Sequence, residues 1–181
     1  MSRLPDVSGT LTGDDAERFH AMMARRAKTG SAVYGRLMAH PELTRHLSEM
    51  GGFLRYGGVL PGDLRELLIL ATAREAGCGY EWVMHEPIAR AEGVPDAAIA
   101  ALRAGRRPEG LDGLHEAALR IAAAVWRRQP VPQAAHDEVA ARLGVRGVIE
   151  VVYLVAFYDM FAAGLIGFEV PLPAGTPDPF A

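Results

Sequence analysis

DLRELLILATAREAGCGYEWVMHEPIARAEG, residues 63–93, holds two helix-length runs separated by Gly77-Cys78-Gly79. Leu67-Leu68-Ile69-Leu70-Ala71 makes the first run apolar on nearly every side, so it is expected at the centre of the fold. Asp63 reads as its cap, with Glu66 three residues on at the capping-box position. The second run starts at Tyr80 and ends before Gly93. Pro87 lies inside it, cannot donate to the carbonyl four residues back, and is expected to kink the helix near His85.

Glu81 and His85 stand four apart and share a helix face. Trp82, Ile88 and Ala89 are expected on the same arc, and Cys78 to project toward it. An acid and an imidazole among apolar groups resist ionising, yet side by side they can share a proton, which general acid–base chemistry near neutral pH requires. Helices joined by a short glycine turn pack antiparallel. Glu66 lies about 16 Å of helical rise from the turn and so faces the distal half of the next helix, where His85 lies.

Outward from this stretch nearly every segment reads as helix, since Ala, Leu, Arg and Glu dominate and β-branched alternation is scarce. Helices are predicted from Gly13 to about Lys28, with Phe19, Met22, Met23 and Ala27 as an apolar stripe, at Val33–Met38, and from Pro41 to about Met50. Phe53-Leu54-Arg55-Tyr56, between two glycine pairs, reads as a loop or single turn. Further helices are expected from Asp96 to Ala104, Leu114 to Gln129, Gln133 to Leu143 and Gly147 to Ile166. The tail carries Pro171, Pro173, Pro177 and Pro179 and reads as extended.

The chain has 181 residues, half of them apolar and 23% charged, which excludes disorder over most of its length. It suits one domain, 1–181. The net charge is −3, only one residue is Lys, and no basic run exceeds two residues, so a nucleic-acid partner is not expected. One cysteine rules out an intrachain disulfide and a cysteine-based zinc site. The N-terminus has no apolar leader pattern, and a cytoplasmic protein is expected. Val148 to Phe168 is long enough to span a bilayer, but Glu150 and Asp159 lie inside it, each costing roughly 2.5–3.5 kcal/mol near a span's centre. It reads as the buried helix of a soluble protein. A mean hydropathy of +0.08 suggests apolar surface shared with a partner subunit.

The stretch resembles the carboxymuconolactone decarboxylase family, which includes the alkylhydroperoxidase-D-like proteins. The likeness is best over roughly residues 45–105. It implies an all-α domain with a core at about 45–130, an N-terminal helical arm at 1–44 and a proline-rich tail at 168–181. It also implies trimers or hexamers. Peroxidase members of that family carry a glutamate, a Cys-x-x-Cys pair and a histidine four residues after the second cysteine. Glu66, Cys78 and His85 match the glutamate, the first cysteine and the histidine, while Glu81 replaces the second cysteine. Decarboxylase members lack the pair and carry Glu-x-x-x-His, as Glu81 and His85 do here. Tyr80-Glu81-Trp82-x-x-His85 resembles one branch in particular.

The first reading is therefore an enzyme acting on a small organic acid or lactone by decarboxylation, isomerisation or hydrolysis. His85 moves the proton, Glu81 sets its tautomer or serves as second acid or base, and Glu66 orients the pair. Trp82 walls the pocket, Tyr153 is a further substrate-binding candidate, and Arg55 or Arg65 is available for a substrate carboxylate. No cofactor or metal is expected, although Glu66, Glu81 and His85 are conceivable as metal ligands. A second reading makes Cys78 a lone peroxidatic thiol, its pKa lowered by the helix N-terminus, with an external thiol as reductant because a two-thiol cycle is impossible within one chain. A third is a non-catalytic oligomeric ligand-binding module.

Overall fold

The computed structural model describes residues 2–25 and 31–181. Eight helices make up its regular structure, with no strand among the described residues: α1 Gly13–Arg25, α2 Ser31–Leu37, α3 Pro41–Tyr56, α4 Gly62–Glu75, α5 Gly79–Ala91, α6 Asp96–Arg103, α7 Gly113–Trp126 and α8 Gln133–Gly167. The all-α expectation is met. Ala27 and Lys28, given to the first helix on sequence, lie outside the described residues.

α4 is central, as its apolar run requires. Leu64 and every residue from Glu66 to Ala73 are buried, against α5 on one side, α7 and α8 on another, and α6 at its far end. Two side-chain clusters meet along it. Leu64, Leu68 and Ile69 pack with Ile121, Val139, Val151 and Leu154. Leu67, Leu70 and Ala71 pack with Trp82, Ile99 and Leu102.

Two expectations change. α3 runs on through Gly51-Gly52 to Tyr56, so Phe53–Tyr56 is helical and not a loop. Burial of Gly51, Leu54 and Arg55 against the core outweighs the glycine penalty of about 1 kcal/mol each. α5 runs on through Pro87 to Ala91. α4 begins one residue before Asp63, with Pro61 at the cap, so Glu66 takes no part in a capping box. The Gln133–Leu143 and Gly147–Ile166 helices are there, joined through Gly144, whose φ of 69° interrupts the helical conformation within α8. That left-handed φ is cheap only for glycine.

By length and hydropathy α8 is able to cross a membrane. In the fold its inner side supplies Val148, Val151, Leu154, Val155 and Tyr158 to the core. Its outer side leaves Ile149, Tyr153 and Met160 at least half exposed, a stripe at helical spacing.

Candidate functional site

The inward arc of α5 carries Tyr80, Glu81, Met84, His85 and Ile88. Facing it are Val33 and Tyr34 of α2, Gly51 and Arg55 of α3, and Phe157, Tyr158 and Phe161 of α8. Between them lies a small cavity, with about 50 Å³ open to the centre of a water-sized sphere. That is room for a few solvent molecules or a substrate of a few heavy atoms.

His85 is the hub. Its Nδ1 lies 2.7 Å from Oε2 of Glu66, which is wholly buried. Its Nε2 lies 3.5 Å from Oε2 of Glu81. Glu66 is held in turn by Arg65, whose Nε donates to Oε1 at 3.2 Å and whose guanidinium also reaches Glu92 at 3.4 Å. The Tyr158 ring stands edge-on to the imidazole, with centroids 5.2 Å apart. The antiparallel arrangement of α4 and α5 brings Glu66 and His85 together, as the helical rise anticipated.

Burial alone would push the Glu66 carboxyl up. The hydrogen bond and charge of His85, with the guanidinium groups of Arg55 and Arg65, outweigh it and hold that carboxyl below its ordinary 4.5. With an ionised Glu66 as acceptor, Nδ1 carries the hydrogen, and Nε2 is the ring nitrogen that faces Glu81 and the cavity. Burial pushes Tyr80 to about 12 and Tyr158 well above 10, so both phenols are neutral donors.

Arg55 is 7% exposed and lines the cavity. Its guanidinium carbon lies 4.8 Å from the centre of the Tyr56 ring, and its Nε is buried with no hydrogen-bond partner among the described residues. A buried, unsatisfied guanidinium N–H is costly unless an anion or water completes it. Arg65 is engaged by Glu66 and Glu92, so of the two arginines considered for a carboxylate Arg55 is the one in the cavity wall.

Three expected neighbours lie elsewhere. Trp82 is fully buried on the other side of α5, where its Nε1 donates to Oε2 of Glu86 at 2.8 Å and Phe180 packs on its ring. Tyr153, the tyrosine chosen on sequence, is 63% exposed on the outer side of α8, and Tyr158 is the tyrosine in the cavity wall instead. Cys78 is 2% exposed beneath Leu165, Val170 and Leu172 and does not line the cavity. Burial pushes its thiol up to about 11, because desolvation outweighs the backbone N–H groups at the start of α5. The expected lowering is therefore reversed. No group of three or more His, Cys, Asp or Glu among the described residues is arranged to hold a metal ion. The His85 ring lies between its two carboxylates, one on each nitrogen, so the three donors do not converge on one point.

Residues 41–124, spanning α3 to α7, match the model of the carboxymuconolactone decarboxylase family. No curated protein matches significantly. Among solved structures, an Agrobacterium tumefaciens protein of unknown function, described as a candidate AhpD antioxidant defence protein, is similar. It shares 17% identity with a TM-score of 0.64, over 75% of this chain and 94% of that one, a likeness of fold. Over residues 41–124, a little under half of its length, the chain is similar to the carboxymuconolactone decarboxylase family, and its fold is similar to that of the Agrobacterium protein.

Proposed function

We propose that the chain is a decarboxylase-like enzyme that moves a proton on a small organic acid or lactone, with His85 as the proton carrier. The observation that supports it is one imidazole held between two buried carboxylates at the wall of a cavity. Glu66 fixes the tautomer and stabilises the imidazolium when it forms. Nε2 takes a proton from the substrate, and Glu81 is near enough to pass it on or return it. Arg55 holds the substrate's carboxylate, and Tyr158 and Tyr80 are neutral donors for a developing enolate or lactone oxygen. The volume favours a compact substrate. The buried, high-pKa thiol outside the cavity weighs against peroxide reduction through Cys78.

Turnover of a panel of β-keto acids and carboxylated lactones, followed by carbon dioxide release and ring opening, tests this reading. His85→Ala is expected to lose about 10²–10⁴-fold in kcat, the usual worth of a positioned acid–base group. Panel turnover unchanged in His85→Ala, or peroxide reduction as the only activity, overturns it.

On the same reading the exposed stripe of Ile149, Tyr153 and Met160 is where copies of the chain meet, in a soluble assembly. Sedimentation then shows an oligomer for the native chain and a smaller species for Tyr153→Arg; an unchanged species rejects this interface.

A further inference from the structure

On the other side of α4 a second groove, about 420 Å³ by the same measure, is bordered by Arg74, Arg106, Arg107, Arg120 and Arg127. Two arginine doublets, Arg106-Arg107 and Arg127-Arg128, lie about twenty residues apart in sequence, and folding brings three of their four members to one rim. The floor is apolar, built from Leu102, Leu119 and Ala123.

The charges in this groove are poorly balanced. Glu116 is shared between Arg107 at 3.6 Å and Arg120 at 3.7 Å, and Glu75 also lines the groove. Five guanidinium groups against two carboxylates leave three uncompensated positive charges, on a chain whose net charge is −3. Arg106 and Arg127 have no ion pair among the described residues. Trp126 lines the same groove, and its indole N–H is buried without a hydrogen-bond partner among the described residues. Gly105 keeps room for Arg74: its φ is +69°, and a Cβ there would lie 3.2 Å from Arg74 Nη2. Like charges gathered over an apolar floor repel one another, and a multiply charged anion relieves that repulsion. Guanidinium forks suit phosphate oxygens, several per group.

We propose that this groove binds a phosphate-bearing organic anion of nucleotide size, with its phosphates among the arginines and its flat or apolar body on Leu102, Leu119 and Ala123. The site is separate from the Glu66–His85 cavity, and its test does not depend on turnover.

Isothermal titration calorimetry on the full chain, with metal-free ATP, pyrophosphate and citrate as separate probes, decides the matter. ATP is expected to bind saturably at one site per chain, at least about tenfold more tightly than pyrophosphate or citrate. The double variant Arg106→Ala/Arg127→Ala removes no native ion pair. It is expected to keep the melting temperature and to weaken ATP at least about tenfold. Trp126→Phe, which keeps the ring and removes the N–H, is expected to weaken ATP by a smaller factor. Three results overturn the proposal: no saturable ATP binding, citrate or pyrophosphate binding as tightly as ATP, or equal ATP affinity in the native chain and the double variant.

Discussion

The two sides of α5 both bury ionisable groups, and they handle them in opposite ways. On one side Glu86 accepts from Trp82 Nε1 at 2.8 Å, from Arg90 at 2.6 Å and from Arg103. Burial pushes that carboxyl up, but the three donors outweigh it and hold it below its ordinary value. Every partner is met, the packing is closed, and Trp82 has no exposed surface. On the other side Glu66, Glu81 and His85 are more deeply buried, yet they border a void, and the arginine that completes the charge balance has an unused N–H. A buried charge whose donors are all supplied by the fold is structural. A buried set that leaves a donor open beside a cavity is arranged for something not yet in it.

Alanine at one residue from each side should break the molecule in two different ways, and these are the largest effects expected. Trp82→Ala removes a wholly buried indole and strips Glu86 of a donor. A loss of about 3–5 kcal/mol in urea unfolding is expected, with kcat per folded molecule nearly unchanged. His85→Ala should do the reverse, losing the 10²–10⁴-fold in kcat given above while giving up much less stability than Trp82→Ala. If Trp82→Ala abolishes turnover in protein that is still folded, the division between the two sides is wrong.

Sequence reached the division only in part. The burial of α4 was legible because no rotation of Leu67–Ala71 leaves a polar face. The Glu66–His85 contact was legible because a Gly-Cys-Gly turn admits one antiparallel packing. The position of Trp82 was not. It lies only about 60° round the helix from His85, and α5, apolar on several sides, gives no sharp phase. α8 has the same difficulty in stronger form, so Tyr153 and Tyr158 could not be told apart from the run of apolar residues. One signal was available: Arg146 is exposed, and the face it begins continues at helical spacing through Ile149, Tyr153 and Met160. α3 was cut short because Gly51-Gly52 reads as a stop when its packing partners are unknown. The closing of the arginines around Trp126 was invisible for the same reason, since it depends on how α4, α6 and α7 come together.

A smaller effect should sharpen the comparison through pH. The carboxyl of Glu66 is held below 4.5 in the fold. Its contribution to stability is therefore complete above the unfolded value and is lost as pH falls through the folded one. Glu66→Gln keeps the shape and removes the charge. At pH 7 it should cost about 1.5–3 kcal/mol, the range for a hydrogen bond to a charged group. The gap between native and variant proteins should narrow as urea unfolding is repeated from pH 5 downward. A gap that stays constant or widens on acidification would mean that Glu66 is protonated in the fold, and that the carboxylate does not hold the His85 tautomer.

The smallest effect belongs to Cys78, which sits at the start of α5, beside neither Glu86 nor the cavity. Its thiol is covered by Leu165 and by Val170 and Leu172 of the C-terminal tail, and burial raises it to about 11. At pH 7 or 8 the thiolate fraction is then far below that of an ordinary cysteine, and attack on peroxide is slow in proportion. Cys78→Ser replaces the sulfur with a hydroxyl of similar shape, and the polar atom has backbone N–H groups of Tyr80 and Glu81 within reach. Turnover on the acid and lactone panel should stay within about twofold of native, a barrier change well under 1 kcal/mol. A thiol-reactive dye should label the native protein slowly and the urea-unfolded protein fast. Rapid labelling of the folded chain, together with loss of turnover in Cys78→Ser, would move the chemistry from the imidazole to the sulfur.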